Sequence, residues 1–197
     1  VGLVVAVLRF LNGDETAISR YFDRNRERKG YEALAEGILA VASGEGRLAL
    51  SKASRAERYL QRPELTNLLT AQAAEMTGDS KKAAEVYRRL LGDQRTRFVG
   101  VRGLLAQKLA EGDTATALKL AEKAYALNPR HQDVQDTLLK LQTEAGEWKG
   151  ARGVLHAKMR QGQLPKDVHK RRDAVLALQE TKVILDEGAS VEAQEAA

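Results

Sequence analysis

Gly44, Gly78, Gly112 and Gly146 follow one another at intervals of 34 residues, and each interrupts an apolar, helix-forming run. The local sequences are "VASGEGRLAL", "EMTGDSKKAAEVYRRLL", "LAEGDTATAL" and "TEAGEWKGAR". A glycine in this position can take the left-handed conformation that ends a helix, where a β-carbon would be penalised. Ser80 and Thr114, two residues further on, are the predicted N-caps of the helices that follow. Ala49, Ala83, Ala117 and Ala151 each stand five residues after a turn glycine. A small side chain at that fixed place lets two helices approach closely. The period therefore predicts one antiparallel helix pair, repeated.

Composition agrees with an all-α chain. Aromatic residues make up 5% of the 197 positions, only three prolines occur, and alanine, leucine, glutamate, lysine and arginine dominate. With 43% apolar residues the chain can bury a real core. The absence of cysteine excludes disulfides, thiolate metal sites and a cysteine nucleophile.

A unit of this length, with a turn glycine and an alanine five positions later, resembles the tetratricopeptide repeat. The resemblance covers four units over residues 30–163 and implies a right-handed α-solenoid of helix pairs, preceded here by a long N-terminal helix. It departs from the family pattern in two respects: the proline closing the second helix is matched only by Pro129, and the aromatic near the start of the first helix is missing. Beyond "RQGQLPKDVHKRR", Gly188 and Ala193 repeat the five-residue offset, so a truncated fifth hairpin is expected there. The domain division expected is residues 1–29 as a membrane-proximal segment and 30–197 as the repeat solenoid.

The chain opens without methionine on "VGLVVAVLRFL", eleven largely apolar residues, where a spanning helix needs about 20. Arg20, Arg24, Arg26, Arg28 and Lys29 follow, as expected where a transmembrane helix leaves the bilayer on its cytoplasmic side. The economical reading is the end of a membrane anchor; an amphipathic helix capping the solenoid is the alternative. Together with "GYEALAEGILAVASGE", "LLTAQAAEMTGD", "TRFVGVRGLLAQKLAEGD" and "LQTEAGEWKGARGVL", this arrangement resembles the HemY-like inner-membrane proteins of proteobacteria. Thr96, Arg97, Gly100, Arg102, Gly103 and Leu104, with Gly146, Glu147 and Trp148, are the most specific pieces. The resemblance implies an inner-membrane protein whose repeats face the cytoplasm, associated with late haem synthesis and with haem-synthesis enzymes among its expected partners. It brings no catalytic residues. The flavoprotein oxidase that shares the family's name is not implied, since no Gly-x-Gly-x-x-Gly is present.

The side chains point to no reaction. His131, His156 and His169 are far apart in sequence and form no paired metal motif, so neither a metal nor a cofactor is called for, and haem enters only through the family. A protein scaffold, not an enzyme, is the expectation; a tetrapyrrole carrier and a cell-envelope assembly factor are the alternatives. Between Lys149 and Arg172 eight cations face one acidic residue, Asp167. Lys149, Arg152, Lys158, Arg160, Lys170, Arg171 and Arg172 make up the expected basic patch, read either as a solvated face or as a surface suited to anionic headgroups or an acidic protein. Nucleic acid is disfavoured because stacking aromatics are not interleaved there. The repeat register assigns Tyr31, Leu34, Ile38 and Val41, then Leu65, Leu68, Gln72 and Glu75, to the inner groove. In the later units it assigns Val99, Arg102, Ala106 and Leu109, then Asp133, Asp136, Lys140 and Thr143. The first four are read preferentially as core; Leu68, Gln72, Glu75, Arg102, Leu109, Asp136 and Lys140 are the candidate partner contacts. Arg102 and Lys140 stand out, because a charge on an inner face needs a partner or water.

Overall fold

The computed structural model describes the backbone of residues 17–195 and the side chains of residues 23–186. The apolar segment read as an anchor lies outside the described residues, as does the side chain of Arg20. Among the described residues there are nine helices and no strand: α1 (Ala17–Ala42), α2 (Gly46–Tyr59), α3 (Pro63–Met76), α4 (Ser80–Leu90), α5 (Arg97–Ala110), α6 (Thr114–Leu127), α7 (Gln132–Glu144), α8 (Trp148–Arg160) and α9 (Lys166–Glu195). The fold is an α-solenoid of helix pairs, as the period predicts. The cationic run Arg24–Lys29 and the first repeat helix are a single 26-residue helix, α1.

The turns are built the same way each time. Gly44, Gly78, Gly112 and Gly146 have φ of 79°, 75°, 73° and 75°. At each, the glycine N–H donates to the carbonyl three residues back, and the next N–H donates to the carbonyl five back, as in Glu45 N to Ala40 O at 2.8 Å and Asp79 N to Ala74 O at 2.9 Å. This is the Schellman closure of a helix. The residue after the glycine is at once the N-cap of the next helix, and here the sequence reading needs correction. Asp79 and Asp113 cap α4 and α6, accepting from Lys82 N at 3.0 Å and Thr116 N at 3.1 Å, whereas Ser80 and Thr114 are the first helical residues. A carboxylate one residue earlier reaches the free amides and also suits the positive end of the helix dipole.

A fifth turn of this type lies at Gly162 (φ 74°), where Gln163 N donates to Lys158 O at 3.0 Å. The turn expected at Gly188 is absent, since α9 runs through that position. One glycine in a helix costs about 1 kcal/mol, which the surrounding Glu, Ala and Gln tolerate, and no acidic cap follows it.

The chain divides into two compact units after Gly100. In the first, Ala33 and Leu34 of α1 pack with Ala53, Ala56, Leu60 and Leu69, with Val41 against them. Tyr31 and Ile38, on the same helix, are 45% and 56% exposed, so the core reading holds for Leu34 and Val41 only. In the second, Leu105, Ala117, Ala121, Leu138, Leu141 and Val154 form one cluster, and Ala151, Leu155 and Leu176 another. Ala49, Ala83, Ala117 and Ala151 are all fully buried, as the five-residue offset requires.

Gly112→Val tests the turn itself. A β-carbon there would meet nothing within 4 Å, so any penalty comes from the backbone alone. The expected loss is about 1–3 kcal/mol, read as a lowered thermal midpoint; an unchanged melt would show that this φ carries no strain for a side chain.

Candidate functional site

The second unit carries an open groove of about 480 Å3 along its last three helices. Leu139 of α7, Leu155 of α8 and Val175 and Leu176 of α9 make its apolar lining. Asp136, Lys140 and Thr143 border it from α7, one helical turn apart, and Arg171 and Arg172 from α9. Two independent sequence expectations thus converge: Asp136, Lys140 and Thr143 came from repeat register, and Arg171 and Arg172 from the charge run.

The border charges differ in how committed they are. Asp136 is paired with Lys158, whose side chain is 9% exposed and whose aliphatic stem is buried with it. Arg171 pairs with Asp167 at 2.9 Å, both well exposed, so this contact holds the guanidinium only weakly. Lys140 approaches Glu144 at 3.9 Å, at the limit of an ion pair. Arg172 makes no ion pair among the described residues. The groove therefore offers cations over an apolar floor.

The other cations of the expected basic patch are distributed differently. Lys149, Arg160 and Lys170 are exposed. Arg152 is turned into the α8–α9 seam, where it donates to Asp173 at 2.8 and 3.3 Å and to Glu180 at 2.9 Å. These bonds hold the Asp173 carboxyl below the usual carboxylate range and raise the guanidinium above its own. Arg152 and Lys158 are thus neutralised within the fold, and the run of eight does not act as one patch.

Of the remaining groove candidates, Leu68 is half-buried while Gln72 and Glu75 are exposed, all on α3 in the first unit. Arg102, Ala106 and Leu109 are exposed on α5, and none of them lines the groove.

Sequence reading missed one association. His156 and His169, taken as separate polar positions, meet across α8 and α9: Nδ1 of His156 lies 3.3 Å from Nε2 of His169, with ring centroids 5.1 Å apart. Neither histidine lines the groove. The signal that would have found them is the turn at Gly162, about which the two residues are nearly symmetric.

The motif at the α4–α5 junction also acquires a physical role. Thr96 Oγ1 donates to Leu90 O at 2.9 Å and Arg97 Nε to Leu91 O at 3.0 Å, closing the carbonyl end of α4. Gly100 then lies directly on that end: a β-carbon would stand 2.7 Å from Tyr87 O.

Among the described residues no helix is long and apolar enough to cross a membrane, and no group of three or more His, Asp or Glu side chains is placed to hold a metal ion. Residues 1–78 match the family model described as the HemY protein N-terminus, and residues 108–170 match a tetratricopeptide repeat. Searches of curated proteins and of solved structures return no match. The chain is thus similar to the HemY N-terminus over its first 78 residues and to a tetratricopeptide repeat over residues 108–170, as a HemY-like tetratricopeptide repeat protein would be.

Proposed function

We propose that this chain is a membrane-tethered, non-catalytic scaffold that seats an acidic, amphipathic segment of a partner protein in the groove between α7 and α9. The observation that carries the reading is the pairing of an apolar floor with the cations Lys140, Arg171 and Arg172 on its borders. An amphipathic helix or extended peptide would bury its apolar face on Leu139, Leu155, Val175 and Leu176, and its carboxylates would select orientation and partner. Tethering is supported by the match to the HemY N-terminal family and by the cations at Arg24, Arg26, Arg28 and Lys29, which are exposed on α1. On this reading the repeats lie on the cytoplasmic side of the inner membrane, and enzymes of late haem synthesis are the first partners to test.

A tetrapyrrole carrier is the second reading, favoured by Arg171 and Arg172, which could meet propionates above an apolar floor. Axial ligation by the histidine pair is disfavoured on geometry. Two imidazoles on opposite sides of an iron stand about 4 Å apart, twice a metal–nitrogen bond of about 2 Å, and these rings are at 3.3 Å with no room for a macrocycle between them.

The test uses the full-length protein in its membrane, with a photo-crosslinking residue replacing Val175, which is 57% exposed. One discrete protein adduct is expected, mapping to an acidic amphipathic segment and falling at least tenfold when Lys140→Glu and Arg172→Glu are combined, with the melt unchanged. An adduct indifferent to charge reversal would remove the groove from the reading. One-to-one haemin uptake with a sharp Soret shift, lost in the same double variant, would replace the scaffold by the carrier.

A further inference from the structure

We propose that His156 and His169 form a two-imidazole site for a borderline divalent transition metal ion, Zn2+ or Cu2+ in character, which staples α8 to α9. The first support is distance. In a tetrahedral site with metal–nitrogen bonds of about 2.0–2.1 Å, two ligand nitrogens stand about 3.3 Å apart, and His156 Nδ1 and His169 Nε2 are separated by 3.3 Å. An ion can therefore be taken up by turning the rings, without moving the helices.

The second support is the way the pair is held. Arg152 lies one turn before His156 on α8 and Asp173 one turn after His169 on α9, and their bidentate contact at 2.8 and 3.3 Å fixes the spacing of the helices next to the rings. Asp173 is committed to Arg152 and is not counted as a ligand. His169 is 8% exposed while His156 is exposed, so one imidazole is fixed by packing and the other faces solvent, where an ion can enter and keep water in its remaining positions. With no cluster of three or more ligating side chains among the described residues, affinity comes from the two nitrogens alone. Neutral imidazoles select Zn2+, Ni2+ and Cu2+ over Mg2+ and Ca2+, with Cu2+ tightest.

The site is independent of the groove's occupant, although it holds the two helices that supply Leu155, Arg172, Val175 and Leu176 to that groove.

The test adds Zn2+ to the purified chain. At a concentration a hundredfold above Kd, the thermal midpoint is expected to rise by about 5 °C or more. His156→Gln and His169→Gln should each abolish the rise, and His131→Gln should retain it. Electron paramagnetic resonance of bound Cu2+ should show coupling to two nitrogens. If His169→Gln fails to fold, His156→Gln decides, since that side chain is exposed and its loss leaves the core intact. No shift in the unsubstituted chain, a shift that survives His156→Gln, or coupling to a single nitrogen would overturn the site.

Discussion

Gly100→Val is expected to cost about 3 kcal/mol or more and to lower the urea midpoint accordingly. The β-carbon alone would stand 2.7 Å from Tyr87 O, 3.1 Å from Leu91 Cδ2 and 3.2 Å from Leu90 Cβ. Leu91 could shift a methyl group, but a backbone carbonyl in the last turn of α4 cannot retreat without disturbing the helix it closes. Overpacking of a well-filled site costs about 1–3 kcal/mol and occasionally more; valine adds a branched carbon to a space that excludes the first one. The bonds from Thr96 and Arg97 to Leu90 and Leu91 would be strained together with it, because they hold the same helix end. Equilibrium unfolding of Gly100→Val indistinguishable from the unsubstituted protein would mean that the α4–α5 contact is looser than described.

Leu138→Ala should be comparably damaging, at about 2–5 kcal/mol, by the opposite mechanism. Leu138 is 2% exposed and packs in one cluster with Leu105 of α5, Ala117 and Ala121 of α6, Leu141 of its own helix and Val154 of α8. Four helices meet on it, and three of the neighbours are alanine or valine, which cannot swing inward to refill the space. In a quasi-one-dimensional fold each hairpin is supported mainly by its neighbours, so loss of amide-exchange protection is expected in α5 to α8, with the first unit much less affected. Uniform loss across both units would show that stability is shared more widely than the core clusters suggest.

What could be read from sequence was whatever repeats. The four turn glycines, the alanines that follow them and the helix pairs are spaced by one period, and each imposes its own steric demand, a positive φ or a missing side chain. The caps were misassigned by one residue because a hydroxyl and a carboxylate stood side by side, and only the hydrogen bonds show that Asp79 and Asp113 act. Gly162 was missed because it falls outside the 34-residue series, and Gly188 was taken for a turn because an offset alone does not stop a helix. The groove was half legible: register gave Asp136, Lys140 and Thr143 and charge gave Arg171 and Arg172, but their convergence needed α9 to fold back along α8. The same fold-back joins His156 to His169 and withdraws Arg152 into its pair with Asp173. Pairings across a turn cannot be read until the turn is placed.

The shared geometry of the glycine turns has a consequence for how such a chain can change length. In each, the amide after the glycine completes the closure of one helix while its residue caps the next, so no slack separates the two helices. Adding or deleting a single residue inside a helix rotates everything beyond it by about 100°, which would carry Ala117 or Ala151 away from the helix it now touches. A cut from one turn glycine to the next restores the same phase. Insertions and deletions compatible with these contacts are therefore quantised in whole hairpins, and the lineage of such a protein can lengthen or shorten its reach in steps without redesigning any single contact.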